Sequence, residues 1–182
     1  MNPKETKKLS KFLSLILRHQ PETIDLSLDE GGWADVEELI QKSRLKQLEL
    51  DFDKLSYIVE NNDKQRFSFS PDHKKIRANQ GHSLAVDLGL VAQEPPNLLF
   101  HGTATRNLNS IRQKGLIKGA RHHVHLSTDQ ETAIKVGMRY GKPVVLKIHA
   151  GQMYGEGFEF YRSENGVWLT DSVPTQYVEF KF

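Results

Sequence analysis

The chain has 182 residues, 37% apolar and 26% charged, with 13 Gly, 7 Pro and no Cys. That balance excludes collagen-like, low-complexity and wholly disordered chains, and the lack of cysteine excludes disulfides, thiolate nucleophiles and cysteine-ligated zinc. Formal charge is only +2, with net −1 over residues 1–92 and net +3 over residues 93–182, so an anion site must come from a few converging side chains rather than a polybasic arm.

The start, Met1 to Lys11, is polar and lysine-rich, without the apolar stretch of a secretory signal. No apolar run approaches the roughly 20 residues needed to cross a bilayer; the expectation is a cytoplasmic protein with no membrane partner, monomeric by default. Leu9, Phe12, Leu13, Ile16 and Leu17 recur at helical spacing and predict an amphipathic helix that stops before Pro21. Asp35 followed by Glu38 reads as a capping box opening a second helix through Ile40. Phe52, Leu55, Ile58 and Val59 mark a third helix from Asp51 to about Asn61. Arg66 to Ser70 then alternates at period two, Pro71-Asp72 supplies turn chemistry, and Lys75-Ile76-Arg77 resumes extended chain. Three helices and a hairpin outline a winged-helix lobe, which by analogy of fold points to nucleic acid.

Ala92-Gln-Glu-Pro-Pro-Asn97 marks the seam between a lobe of residues 1–92 and one of residues 93–182, because paired prolines interrupt both helix and sheet ladders. Beyond it, Leu98 to His101 predicts a strand and Leu108 to Lys114 a helix stopped by Gly115. His123 to Ser127 is extended, and Asp129 caps a helix through Met138. Val144–Ile148, Phe158–Tyr161, Val167–Leu169 and Tyr177–Phe180 read as strands. Many strands with two early helices predict an α+β lobe with a mixed sheet.

Five groups of residues carry candidate chemistry. Arg18-His19, in the last turn of the first helix, either offsets the helix dipole or clamps an anion with a guanidinium fork beside an imidazole. Arg66 and Arg77, with Gln80, Gly81 and His82, are solvated hairpin residues taken singly and a phosphate-facing surface taken together. His101-Gly102-Thr103 ends a strand before a helix, where Gly102 permits close backbone approach and helix N–H groups favour an anion. Arg121 to Ser127 packs His122, His123 and His125 into one segment. Two of these imidazoles share a strand face, yet no further ligand completes a metal site, and arginine beside histidine suits an anionic substrate better. Arg162, before the Asn165-Gly166 turn, stands at a strand end, within reach of a pyrophosphate. Trp168 reads as core, and Glu179 as a strand residue facing solvent.

In their order along the chain, Leu17-Arg-His19, Asn62 to Phe67, Gln80-Gly-His-Ser83, His101-Gly-Thr103, Arg121 with His123 to Ser127, and Arg162-Ser163 resemble the RNA 2′-phosphotransferase family over nearly the whole length. The resemblance implies a winged-helix lobe followed by an ADP-ribosyltransferase-like lobe. It implies removal of an internal 2′-phosphate from RNA, with NAD consumed as co-substrate and no metal expected. By match to the family's motifs, Arg18, His19, Arg66 and Arg121 carry the chemistry on phosphorus, and His19 has the side chain whose ordinary pKa best suits proton transfer. His101, Gly102, Thr103, His125, Ser127 and Arg162 fall to NAD, and Arg77, Gln80, Gly81 and His82 to the RNA phosphate. Competing expectations are ADP-ribosyl transfer to a nucleic-acid phosphate or a protein, and a winged-helix nucleic-acid-binding protein without catalysis.

Overall fold

Residues 1–62 and 64–180 are described by the structure, a computed structural model. The chain divides into two units, Met1–Gly89 and Leu90–Phe182. Ala92 forms a β-bridge with Tyr161, and the Gln93 N–H donates to the Phe160 carbonyl at 2.8 Å, which ties the residues just before the proline pair to the second unit.

The first unit is built on α1 (Pro3–Arg18). Asn2 caps it by accepting from the Glu5 N–H at 2.9 Å, and Pro3 occupies the first turn, where its missing N–H costs nothing. Leu9, Leu13, Ile16 and Leu17 on its inner face are buried, as the spacing predicted, and Phe12 packs against the same core. A two-residue strand β1 (Ala34–Asp35) precedes α2 (Val36–Leu45), α3 (Phe52–Glu60) and the hairpin β2 (Phe67–Phe69) and β3 (Lys75–Ala78). The sheet order is β1-β3-β2, all antiparallel, with Phe67 opposite Ala78, Ser68 opposite Arg77 and Ala34 opposite Ile76. Asp35 caps α2 through the Glu38 N–H at 2.9 Å, and Asp51 caps α3 through the Lys54 N–H at 2.8 Å. The capping-box expectation holds in only one direction. Glu38 turns its carboxylate to Lys42 at 2.6 Å instead of returning to Asp35, because an i,i+4 cation lies within easier reach.

The second unit contains β4 (Leu99–Ala104), α4 (Leu108–Lys114), β5 (Leu116–Ile117), β6 (Val124–Leu126), α5 (Gln130–Gly137), β7 (Pro143–Ile148), α6 (Ala150–Gly155), β8 (Phe160–Arg162), β9 (Trp168–Thr170), β10 (Ser172–Val173) and β11 (Val178–Glu179). They form three small antiparallel sheets, ordered β11-β7-β4, β6-β9-β8 and β10-β5. The first two meet where Phe100 and Ser127 exchange two backbone hydrogen bonds of 2.8 Å. Leu99, Leu146, Ile148, Met153, Phe160, Trp168 and Tyr177 are among the residues of the core beneath them. Mixed helices and small antiparallel sheets place the chain in the α+β class.

Several sequence expectations shift. The first strand of this unit runs on through Ala104, so His101-Gly102-Thr103 lies inside a strand and not at its end. Phe158 sits in the turn before β8. Tyr177 belongs to a 3₁₀ turn (Thr175–Tyr177), where its buried ring packs edge-on to Phe158 with centroids 5.5 Å apart. Two-residue strands such as β1, β5 and β10 are too short to show a period, and α6 buries only Ala150 and Met153, too few to draw a helical stripe. Glu179 is half-buried against Lys147 at 3.5 Å and His149 at 3.7 Å, an ion-paired position rather than the solvent-facing one expected.

Among the described residues, no helix is long and apolar enough to cross a membrane.

Candidate active site

In the first unit, the C-terminus of α1 is joined to the segment after β3. The Ser83 N–H donates to the Arg18 carbonyl at 2.9 Å, satisfying one of the acceptors that a helix end leaves open. His19, the cap residue, lies with Nδ1 2.9 Å from the Ser83 hydroxyl. The Arg18 guanidinium lies over the Phe67 ring, 5.9 Å from its centroid, with Nε and Nη2 buried, so the residue next to Arg66 carries Arg18. Arg66 itself is held by Asn62, whose side-chain oxygen accepts from Nη1 at 2.9 Å, and its carbonyl accepts from the Asn79 N–H at 2.9 Å. These contacts gather Arg18, His19 and Arg66 around the root of the hairpin. Asp63, within the same segment, lies outside the described residues.

Arg77 stands across the strand pair from Ser68, with its guanidinium 4.5 Å from the Trp33 ring centroid. Trp33 is fixed in turn by Asp29, which accepts from the Trp33 N–H at 2.9 Å, the Gly31 N–H at 3.0 Å and the Lys75 ammonium at 2.9 Å. These partners hold the Asp29 carboxyl below the usual carboxylate range against the burial that raises it. Gln80 and Gly81 follow β3, half-buried, and Gly81 takes φ +84°, a region that only glycine enters freely. His82 is 1% exposed and packs beside Gly32. Of the four residues expected at the RNA phosphate, His82 is the most buried.

In the second unit, His101 sits in β4 opposite Leu146, and its Nδ1 lies 3.0 Å from the His125 carbonyl. A carbonyl only accepts, so Nδ1 carries the proton and Nε2 of the neutral ring carries the lone pair. Burial, offset in part by that hydrogen bond, pushes the His101 pKa below the usual imidazole range. His125 lies in β6, and its Nδ1 is 3.3 Å from Nη1 of Arg121. A guanidinium only donates, which fixes Nδ1 of His125 as the acceptor. His123 packs its ring on Tyr161, 5.5 Å between centroids. Its pKa is also lowered, first by burial and then by nearby His122 and Lys118.

Gly102 has a different reason from the one expected. A Cβ at this position would come within 1.7 Å of the Ala133 carbonyl oxygen, so the close approach is that of α5 against β4 and not of a ligand from that side. Thr103, 4% exposed, accepts from the Asn107 side chain at 3.1 Å. Ser127 joins the two sheets through its backbone, and Arg162 is exposed at the end of β8 opposite Trp168. Trp168 is 6% exposed within the core, as the sequence implied. Among the described residues, no group of three or more His, Asp or Glu is placed to hold a metal ion.

Trp33, Asn62, Phe67 and Ser83 support these side chains without having been expected as site residues. Cross-strand and cross-turn partners leave no periodic trace; Asn62, Phe67 and Ser83 stood inside motifs already noted, and Trp33 did not.

The chain matches, over residues 4–172, the family described as RNA 2′-phosphotransferase, Tpt1 / KptA family. It is 56% identical over 181 residues to a protein of Flavobacterium johnsoniae, covering 100% of both chains. It is 57% identical over 173 residues to one of Acaryochloris marina, covering 95% of this chain and 96% of the relative. With a Pseudomonas fluorescens protein it shares 52% identity over 180 residues, 98% of this chain and 99% of the other. Each relative is named a probable RNA 2′-phosphotransferase. Similarity of this extent, spanning both units and every motif described above, shows that the chain belongs to the RNA 2′-phosphotransferase family.

Proposed function

We propose that this protein is an enzyme that removes an internal 2′-phosphate from RNA, consuming NAD as co-substrate. The observation that carries this reading is the near full-length similarity to relatives named for RNA 2′-phosphotransfer. In the first step, an oxygen of the RNA 2′-phosphate bonds to the anomeric carbon of the nicotinamide ribose, and the glycosidic bond to nicotinamide breaks. In the second, the adjacent ribose 2″-hydroxyl attacks phosphorus and loses its proton. The RNA 2′-oxygen departs and gains one, which leaves 2′-OH RNA and ADP-ribose 1″,2″-cyclic phosphate.

The second unit is read as an ADP-ribosyltransferase-like lobe, and two features of it suit NAD. The Nε2 lone pair of His101 is an acceptor suited to a ribose hydroxyl. Along β4, Phe100 bonds to Ser127 on one edge while Thr105 bonds to Lys142 on the other. Alternation therefore turns the Gly102 N–H and C=O toward the Phe100 edge, where a carboxamide finds both an acceptor and a donor. Gly102 would meet NAD through its backbone. Thr103, His125, Ser127 and Arg162 are assigned to the same co-substrate.

The first unit is read as a winged-helix lobe that engages the RNA phosphate. By match to the family's motifs, Arg18, His19 and Arg66 of this unit are assigned to the charge that builds on the phosphoryl oxygens in the second step, and Arg121 of the second unit is assigned to the same step. Stacked and hydrogen-bonded guanidiniums are preorganised, so little reorganisation accompanies the reaction. Arg77, Gln80 and Gly81 are assigned to the RNA backbone, with the buried His82 beside them in the same segment. Incubation with NAD and an RNA bearing one 2′-phosphate should yield 2′-OH RNA and nicotinamide in equal amounts, with mass analysis identifying the cyclic phosphate. Pure protein that leaves the phosphate in place would defeat the proposal; stable ADP-ribose on the acceptor would replace it with simple ADP-ribosyl transfer.

A further inference from the structure

We propose that Ser83 is a positioning residue for His19, holding the imidazole so that it exchanges its proton through Nε2 without turning. The inference rests on the function proposed above and deepens it. His19 follows the last residue of α1, where a side chain has rotational freedom that a helix interior would remove. Two contacts restrict it. The Ser83 N–H bond to the Arg18 carbonyl, 2.9 Å, pins the segment after β3 to the helix end, and the Ser83 hydroxyl then stands 2.9 Å from Nδ1 of His19. The same hydroxyl is 3.5 Å from the Arg18 carbonyl oxygen.

Serine fits this place because it accepts on one side while it donates on the other. When His19 is neutral, Nδ1–H donates to the hydroxyl oxygen, the hydroxyl proton is turned toward the Arg18 carbonyl, and Nε2 carries the lone pair. When His19 is charged, Nδ1–H and the hydroxyl keep the same acceptors, and Nε2–H is the proton that a phosphoryl oxygen or the departing RNA 2′-oxygen would receive. Both protonation states keep one ring orientation. A proton taken up or released in the second step therefore passes at Nε2, and no ring flip intervenes. A residue that only filled space would serve neither state.

Ser83 is an exposed residue, and its tie to α1 is made by its backbone, so Ser83→Ala removes the hydroxyl while leaving the fold. In Ser83→Ala, single-turnover reactions with NAD and 2′-phosphorylated RNA should resolve the second step about tenfold slower. The ADP-ribosylated RNA intermediate should persist, with KM for RNA unchanged, and Ser83→Thr should restore the rate. Nitrogen-15 NMR of neutral His19 in the free protein provides a readout that needs no activity: Nδ1 should be the protonated nitrogen in the parent and in Ser83→Thr, and a mixture of tautomers should appear in Ser83→Ala. A parent whose neutral ring bears the proton on Nε2 overturns the inference. So does a Ser83→Ala enzyme with an unaltered second step, or a threonine variant as slow as alanine. If the parent leaves 2′-phosphorylated RNA untouched, the proposed function fails, and the NMR result alone then decides whether Ser83 orients His19.

Discussion

The two units handle charge in opposite ways. In the first, arginines are aimed by aromatic rings: Arg18 over Phe67 at 5.9 Å and Arg77 over Trp33 at 4.5 Å. In the second, the central side chain is a histidine whose ring is driven toward neutrality by burial, with its tautomer set by the carbonyl of His125. A guanidinium on a ring retains its donors at low entropic cost and suits a phosphate. A neutral imidazole with one defined lone pair suits a hydroxyl, and a proton on it would only disturb the site. Under the proposed function, the contrast sets ring-stacked guanidiniums that suit a phosphate against a buried imidazole that suits a ribose hydroxyl, and four experiments press on it.

The largest effect is expected from Gly102→Ala. Its methyl would meet backbone, the Ala133 carbonyl, and backbone in a packed helix cannot swing aside. We expect a loss of about 4 kcal/mol or more, seen as a collapsed melting temperature or insoluble protein. A melting curve like the parent's would show that α5 can slide off β4. Next are Arg18→Ala, Arg66→Ala and Arg121→Ala, each expected to slow the second step by about 10²–10³-fold. The first step and the affinity for NAD should change much less, a difference read from intermediate accumulation. Loss of NAD affinity in the Arg18 or Arg66 variants would erase the division of labour between the units.

A smaller effect follows from Trp33→Ala, which removes the ring under Arg77 and keeps the charge. Cation–π support at such a site is worth about 0.5–1 kcal/mol. RNA affinity should therefore fall by a few-fold, with its dependence on salt nearly unchanged, because no charge is lost. Trp33→Phe should recover most of it. A titration showing no weakening would assign Arg77's position to the strand alone.

The smallest effect concerns pH. His101 and His123 both have folded-state pKa values below their unfolded ones. Above the unfolded value, about 6.5, both states are neutral and the contribution to stability is complete. As pH falls below that value the unfolded chain takes up the protons first, so stability declines toward the folded-state pKa values. Melting temperature should drop between pH 7 and pH 5, and less steeply in His101→Asn, which still offers a donor to the His125 carbonyl. Equal slopes in the two proteins would mean that His101 is not held neutral.

Periodic features were legible in advance because they repeat. The α1 stripe at Leu9, Leu13, Ile16 and Leu17, the cap at Asp35, and the alternation through Phe67 and Phe69 are each set by neighbours within a turn or two. The same holds for the candidate site as a set of segments, since each short motif is local. What joins them was not legible. The half capping box at Glu38 depended on which cation came nearer. The true neighbour of Gly102 is a carbonyl 31 residues away along the chain. His82, polar and flanked by glycine and serine, is buried.

Sequence alone therefore determined the longer helices and strands, the α+β class and the family, because helical and strand periods and contiguous motifs are properties of neighbouring residues. Tertiary structure decided which ring carries which guanidinium, which carbonyl sets the His101 tautomer and which hydroxyl meets His19. Those choices depend on loop closure and on packing between residues as far apart as His19 and Ser83, 64 positions along the chain, and no local rule encodes a partner at that distance.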